Sequence, residues 1–210
     1  MFPEMFKRLF TKPTQKNDLD FIPILVQGHF FAGKTQFISN FSEIGIVPWQ
    51  PSSQYPFNAV LDFGRKTFIQ DEEQIYLYFF GNPSSLKMPP IEQMFSAENR
   101  NRCGSIILVD LSKAITRPNE SFRDIPPAIE TTQERQIPFV VAMNERQDSP
   151  TMPAEMLHAI LELDPSVPVL TCNAKDDQRS CELVLLQCLE QLPQDKITQK
   201  AIKALKKAIS

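Results

Sequence analysis

The sequence predicts an α/β fold: a mostly parallel sheet of about six strands, with helices on both faces and one antiparallel edge strand. Three observations predict it. Short apolar runs alternate with amphipathic stretches along the chain, as they do when helices join parallel strands. Proline is plentiful (18) and glycine scarce (6), so many elements end at prolines. The residues that carry chemistry fall at the ends of the apolar runs, where sheets of this class hold ligands.

The elements follow in order. "FIPILVQG" (21–28) is the first strand, and "KTQFISNFSEI" (34–44) reads as a helix. Residues 45–56 contain three prolines and read as loop. "FNAVLDFGRKTF" (57–68) and "EQIYLYFFG" (73–81) are strands joined by a short polar turn, which suits an antiparallel hairpin. Residues 89–102 are helical or irregular, 104–112 a buried strand, and 119–136 a helix broken at Pro126-Pro127. Strands at 137–145 and 167–174 and helices at 153–163 and 177–192 complete the pattern.

Residues 20–193 form one domain, flanked by a tail (1–19) and a basic amphipathic C-terminal helix (194–210). Residues 1–10 suit either packing on the domain or a membrane or partner contact. In 194–209, Ile197, Ile202, Leu205 and Ile209 share a side among five lysines. That segment reads as a surface helix with solvated lysines, with a weak membrane or partner contact as the alternative.

A net charge of −3 points away from nucleic acid. No apolar run approaches the ~18 residues of a membrane span. Without a signal peptide or lipidation box, the expected compartment is the cytoplasm. The four cysteines (103, 172, 181, 188) form no CxxC pair and read as reduced apolar residues. His158 reads as a helix-surface histidine, and no metal set or catalytic triad is readable.

One motif is specific. "GHFFAGKT" (28–35) completes GxxxxGK[ST] between a strand and a helix, the context a phosphate-binding loop needs. Its backbone N–H groups, from Gly28, His29, Phe30, Phe31, Ala32 and Gly33 on to Gln36, would cradle phosphates. Lys34 would reach the terminal phosphates and Thr35 would ligate Mg2+. Chance matches in a chain this long are on the order of one in a hundred. The motif makes the domain a P-loop NTPase in expectation.

Five further pieces follow in order: "VLDFGR" (60–65), "LYFFGNPSS" (77–85), "IILVD" (106–110), "FVVAMNERQD" (139–148) and "VLTCNAKD" (169–176). Together with the loop they resemble the bacterial Ras-like small GTPases related to the beta subunit of the signal-recognition-particle receptor. This group includes the roadblock-associated, gliding-motility-type GTPases. The resemblance covers about residues 20–192 and implies a small G-protein-like three-layer sandwich.

The resemblance carries over unevenly. It places Asn58 where the family has a magnesium-sensing threonine. Asp62 matches the family's aspartate and equally suits a structural strand-end role. Gly81 is kept, but Ser84 replaces the glycine that meets the γ-phosphate. Ser85 replaces the glutamine that orients the attacking water. Phe30 stands where bulk hinders hydrolysis in Ras-type proteins. On the base side Asn144 matches, but Glu145 and Gln147 replace the lysine and aspartate of NKxD, and Asp148 comes one residue late. Ala174 and Lys175 match the backbone-donor motif. Asp110 ends a strand as a Walker B aspartate would, but the resemblance makes it structural first.

The resemblance therefore implies a cytoplasmic signalling switch that binds GTP or GDP with Mg2+ and has weak or partner-dependent GTPase activity. Its partner would be a roadblock-domain protein or another regulator. The alternatives are a degenerate G-domain serving as an interaction module, or an ATP-specific P-loop enzyme.

Overall fold

Every residue of β1 (Phe21–Gly28) and of β5 (Gly104–Asp110) is buried, as expected of strands covered on both faces. The computed structural model describes residues 21–49, 61–81, 96–113, 122–146 and 151–210. After β1 come α1 (Lys34–Ser39), β2 (Val47–Trp49), β3 (Leu61–Gln70), β4 (Glu73–Gly81) and α2 (Ala97–Asn101). Beyond β5 lie α3 (Ile125–Glu134), β6 (Phe139–Asn144), α4 (Ala154–Ile160), β7 (Val169–Cys172), α5 (Gln178–Gln191) and α6 (Lys196–Ile209). The chain is thus α/β with a mostly parallel sheet.

The seven strands lie in the order β2-β3-β4-β1-β5-β6-β7. β1 pairs in parallel with both β4 and β5. The chain therefore winds one way from β1 and then the other, and a ligand crevice opens at the carboxyl ends of these strands. Only β3 runs against its neighbours. It is not the edge, however, because the three-residue β2 pairs outside it. β2 lies in the stretch expected to be loop. Its Pro48 is compatible with an edge strand, where a missing N–H costs little.

Asp71 (φ 53°) and Glu72 (φ 63°) join β3 to β4, the two left-handed residues of a tight hairpin turn. One face of the sheet packs Ile22, Ile24, Val26, Leu108 and Ala142 against α1, α5 and α6. The other packs Ile107, Val109, Val141 and Met143 against α3 and α4. Beneath the end of β1, buried Gln27 donates to Ser105 Oγ (2.8 Å) and Thr132 Oγ1 (2.9 Å). This ties β1, β5 and α3 together just before the loop.

Several boundaries differ from expectation. α1 ends at Ser39 rather than 44, because the side chain of Asn40 is committed elsewhere and Ser42 closes a turn on Gly45. Pro126 and Pro127 do not break α3; they lie in its first turn, where proline costs no helical hydrogen bond. α6 is not a free surface helix. It buries Ala201, Ile202 and Leu205 in the core. Lys196 and Lys200 grip Glu73 at 2.9 and 2.7 Å, and Lys206 pairs with Glu190 at 2.7 Å. Among the described residues, no helix is long and apolar enough to cross a membrane.

Candidate functional site

Gly33 opens α1 with φ 96°, a left-handed conformation that favours glycine. A Cβ there would stand 2.3 Å from Asn144 Nδ2, so the loop and the end of β6 interlock at this residue. Lys34 is half-buried, and its ammonium donates to the carbonyls of Gly28 (2.9 Å) and His29 (2.7 Å). Burial lowers its pKa to about 8, opposed by the nearby Asp62 and Asp124 carboxylates. His29 Nδ1 lies 2.8 Å from Asp124 Oδ2.

Thr35 Oγ1 donates to Asp62 Oδ2 at 2.5 Å. Asp62 reaches this position from the antiparallel strand β3, where it pairs across from Gly81 of β4. A Cβ on Gly81 would come 3.0 Å from Asp62 Cβ and 2.8 Å from Ile38. The missing side chain on β4 therefore makes room for the carboxylate that β3 supplies. Asp62 thus joins the threonine of the 28–35 loop.

A cleft of about 450 Å³ opens beside Gly33 and Gln36, with Ser112, Asn144, Arg146 and residues 173–176 along its other walls. Asn144 is buried and fully employed: Nδ2 donates to Ala32 O (2.9 Å), and Oδ1 accepts from Ala174 N (3.0 Å). Asn173 Oδ1 accepts from the N–H groups of Lys175 (3.1 Å) and Asp176 (2.9 Å), an Asx turn that shapes the loop. Asn40 Nδ2 donates to Ala174 O (2.8 Å). The structure thus brings the 28–35 loop, Asn144, Ala174 and Lys175 to one cleft.

Four residues of this site were not singled out from sequence. Arg146 Nη2 donates to Phe31 O at 2.5 Å and lies 3.4 Å from Asp110 Oδ2. Asp124 pairs with the loop histidine, Asp176 lines the cleft, and Asn40 braces the 173–176 turn. Only Arg146 left a signal: a cation one position after the glutamate that replaces the family's lysine. Phe30 and Phe31 are exposed (56% and 70%) and meet edge to face, with centroids 4.5 Å apart.

All four cysteines are buried and free. Contact with Cys181 and burial raise the Cys172 thiol far above its usual range, and burial pushes Cys188 up to about 12. Protonated and enclosed, these two suit packing rather than nucleophilic chemistry. Asn58, Ser84, Ser85 and Asp148 lie outside the described residues.

Neither protein-family models nor curated proteins match the chain.

Proposed function

We propose that the chain is a nucleotide-binding switch that takes GTP or GDP with Mg2+, its intrinsic hydrolysis weak or dependent on a partner. One observation carries this reading. Gly33 and Gln36, which flank Lys34 and Thr35 in the chain, line a cleft whose other walls include Asn144 and residues 173–176, while Thr35 meets Asp62 and the Lys34 ammonium lies on the loop carbonyls. A cleft of about 450 Å³ falls within the ordinary range for small-ligand sites.

The residues fit a hard divalent cation. Thr35 and Asp62 supply one hydroxyl and one carboxylate in contact, and magnesium at a nucleotide needs few protein ligands because phosphates and water supply the rest. Thr35 and Asp62 would hold the ion, which would offset charge on the phosphate oxygens. Lys34 would exchange the Gly28 and His29 carbonyls for phosphate oxygens, and the loop N–H groups would cradle them. Ser85, where the resemblance puts the water-orienting glutamine, is too short for that role. A partner would therefore supply that group.

The first test is to purify the protein in magnesium, denature it and identify the released nucleotide by chromatography, with Lys34→Ala as control. GTP or GDP released only from the unmutated protein supports the switch, and GTP would mean slow hydrolysis. If turnover is limited by the missing glutamine, Ser85→Gln raises it. No gain with binding intact would count against a merely weakened site.

The exposed Phe30–Phe31 pair favours a second reading, an interaction module that presents the loop to a partner. Protein that carries no nucleotide and binds none on titration would select it.

A further inference from the structure

Phe31 adopts φ 68°, a left-handed conformation uncommon outside glycine and unfavourable for a bulky side chain. Its ring does not anchor it, being 70% exposed and touching Phe30 edge to face. Its carbonyl is held by Arg146 Nη2 at 2.5 Å. The guanidinium is braced in turn by the buried carboxylate of Asp110, 3.4 Å away, and Asp110 is fixed by the N–H of Ser112 at 2.9 Å. Asp110 and Asn144 are register partners at the ends of β5 and β6. The brace therefore starts from the rigid sheet two residues before Arg146 and ends on the loop.

We infer that Arg146, positioned by Asp110, holds the phosphate loop in its binding conformation by fixing the left-handed Phe31. The inference rests on the nucleotide-binding reading and assigns a regulator of loop geometry to the same site. It makes the buried Asp110 an anchor rather than a metal ligand. It also explains how a loop with phenylalanine at a left-handed position keeps its shape: a cation just beyond the end of β6 holds that residue's carbonyl. Arg146 is a positioning residue, acting through the backbone of Phe31.

The test is a double-mutant cycle in the full chain, using Arg146→Ala, Phe31→Gly and the pair. GTP and inorganic tripolyphosphate, both with Mg2+, are titrated separately. Arg146→Ala should weaken both ligands on the order of tenfold, the usual scale for a hydrogen bond from a charged group. Glycine adopts the left-handed conformation freely. Measured against Phe31→Gly alone, the arginine change should then cost less than about threefold, which is coupling between neighbours. Asp110→Asn should follow Arg146→Ala in direction.

A loss confined to GTP, with tripolyphosphate unaffected, would make Arg146 a base contact and overturn the inference. An equal loss in the Phe31→Gly background would do the same. If the unmutated protein binds neither ligand, the nucleotide reading fails. The inference about loop geometry is then judged by thermal midpoints alone: Phe31→Gly must raise Tm more in the Arg146→Ala protein than in the unmutated one, and no such difference overturns it.

Discussion

The two walls of the cleft solve their problems differently. On the wall of the 28–35 loop, Gly33 and Gln36 face the cleft, Lys34 lies on the loop carbonyls, and one carboxylate, Asp62, joins Thr35. On the opposite wall, Asn144 is occupied in bracing Ala32 and Ala174, and a cation, Arg146, reaches back to the loop. Phosphate binding relies on backbone N–H groups and point charges, which tolerate change in their surroundings. Base reading depends on the directions of a few side chains in short turns, which do not. On the nucleotide-binding reading proposed above, the first wall would keep the form that phosphate needs and the second would read the base differently.

The contrast is broken most directly at Lys34. Lys34→Ala should reduce affinity for GTP and tripolyphosphate alike on the order of a hundredfold, as the loss of charge-assisted bonds implies; isothermal titration checks it. An effect on GTP alone would show that the walls are not separable as drawn.

Asn144→Ala comes next, because that side chain belongs to both walls. It leaves Ala32 O and Ala174 N without their partner, and unfolding in urea should show a loss of roughly 2–3 kcal/mol. An unchanged midpoint would mean that the walls are braced elsewhere.

Asp62→Asn keeps the shape and removes the charge. Magnesium dependence of GTP binding should weaken about tenfold, the scale of a single charged hydrogen bond, with magnesium-free binding changed much less. Equal loss with and without the ion would return Asp62 to a structural role.

The smallest effect is in pH. Lys34 has its pKa lowered to about 8 by burial. Phosphate would favour the charged form and raise that value, so binding takes up a proton near pH 8 and affinity falls as pH rises above it. For folding, the unfolded chain holds more protons between about 8 and the ordinary lysine value. The penalty for the buried charge is thus fully present below pH 8 and relieved as pH rises through that window. A few-fold weaker affinity at pH 9 than at pH 7, absent in Lys34→Ala, is the expected outcome.

Much of this architecture was legible from residues alone. β1, β5 and β6 are apolar runs with few alternatives, and the loop motif sits in the one context that gives it meaning. β2 was not legible, since three residues around a proline carry no period to detect. The Pro126-Pro127 pair misled because a proline pair looks the same in sequence whether it breaks a helix or opens one. α6 was foreseen as a helix but not as part of the core. Its lysines suggested solvent, whereas their partners are Glu190 on the preceding helix and Glu73, far away in the chain. Asp62 remained ambiguous because its role depends on Gly81 across the hairpin, and Arg146 escaped because its partner is a carbonyl of another loop. Cross-chain geometry, rather than composition, held what was missed.

The origin of Asp62 has a consequence for how the site can be tuned. Its place beside Thr35 is set by the pairing of β3 with β4, which is closed by the Asp71–Glu72 turn, nine residues further along the chain. Strand pairing has no half-steps: moving by one residue would send Asp62 to the opposite face. The turn therefore acts as a distant index stop, and α6 pins it through Lys196 and Lys200 on Glu73. Lengthening that turn by a single residue would silence the carboxylate without touching any atom of the cleft.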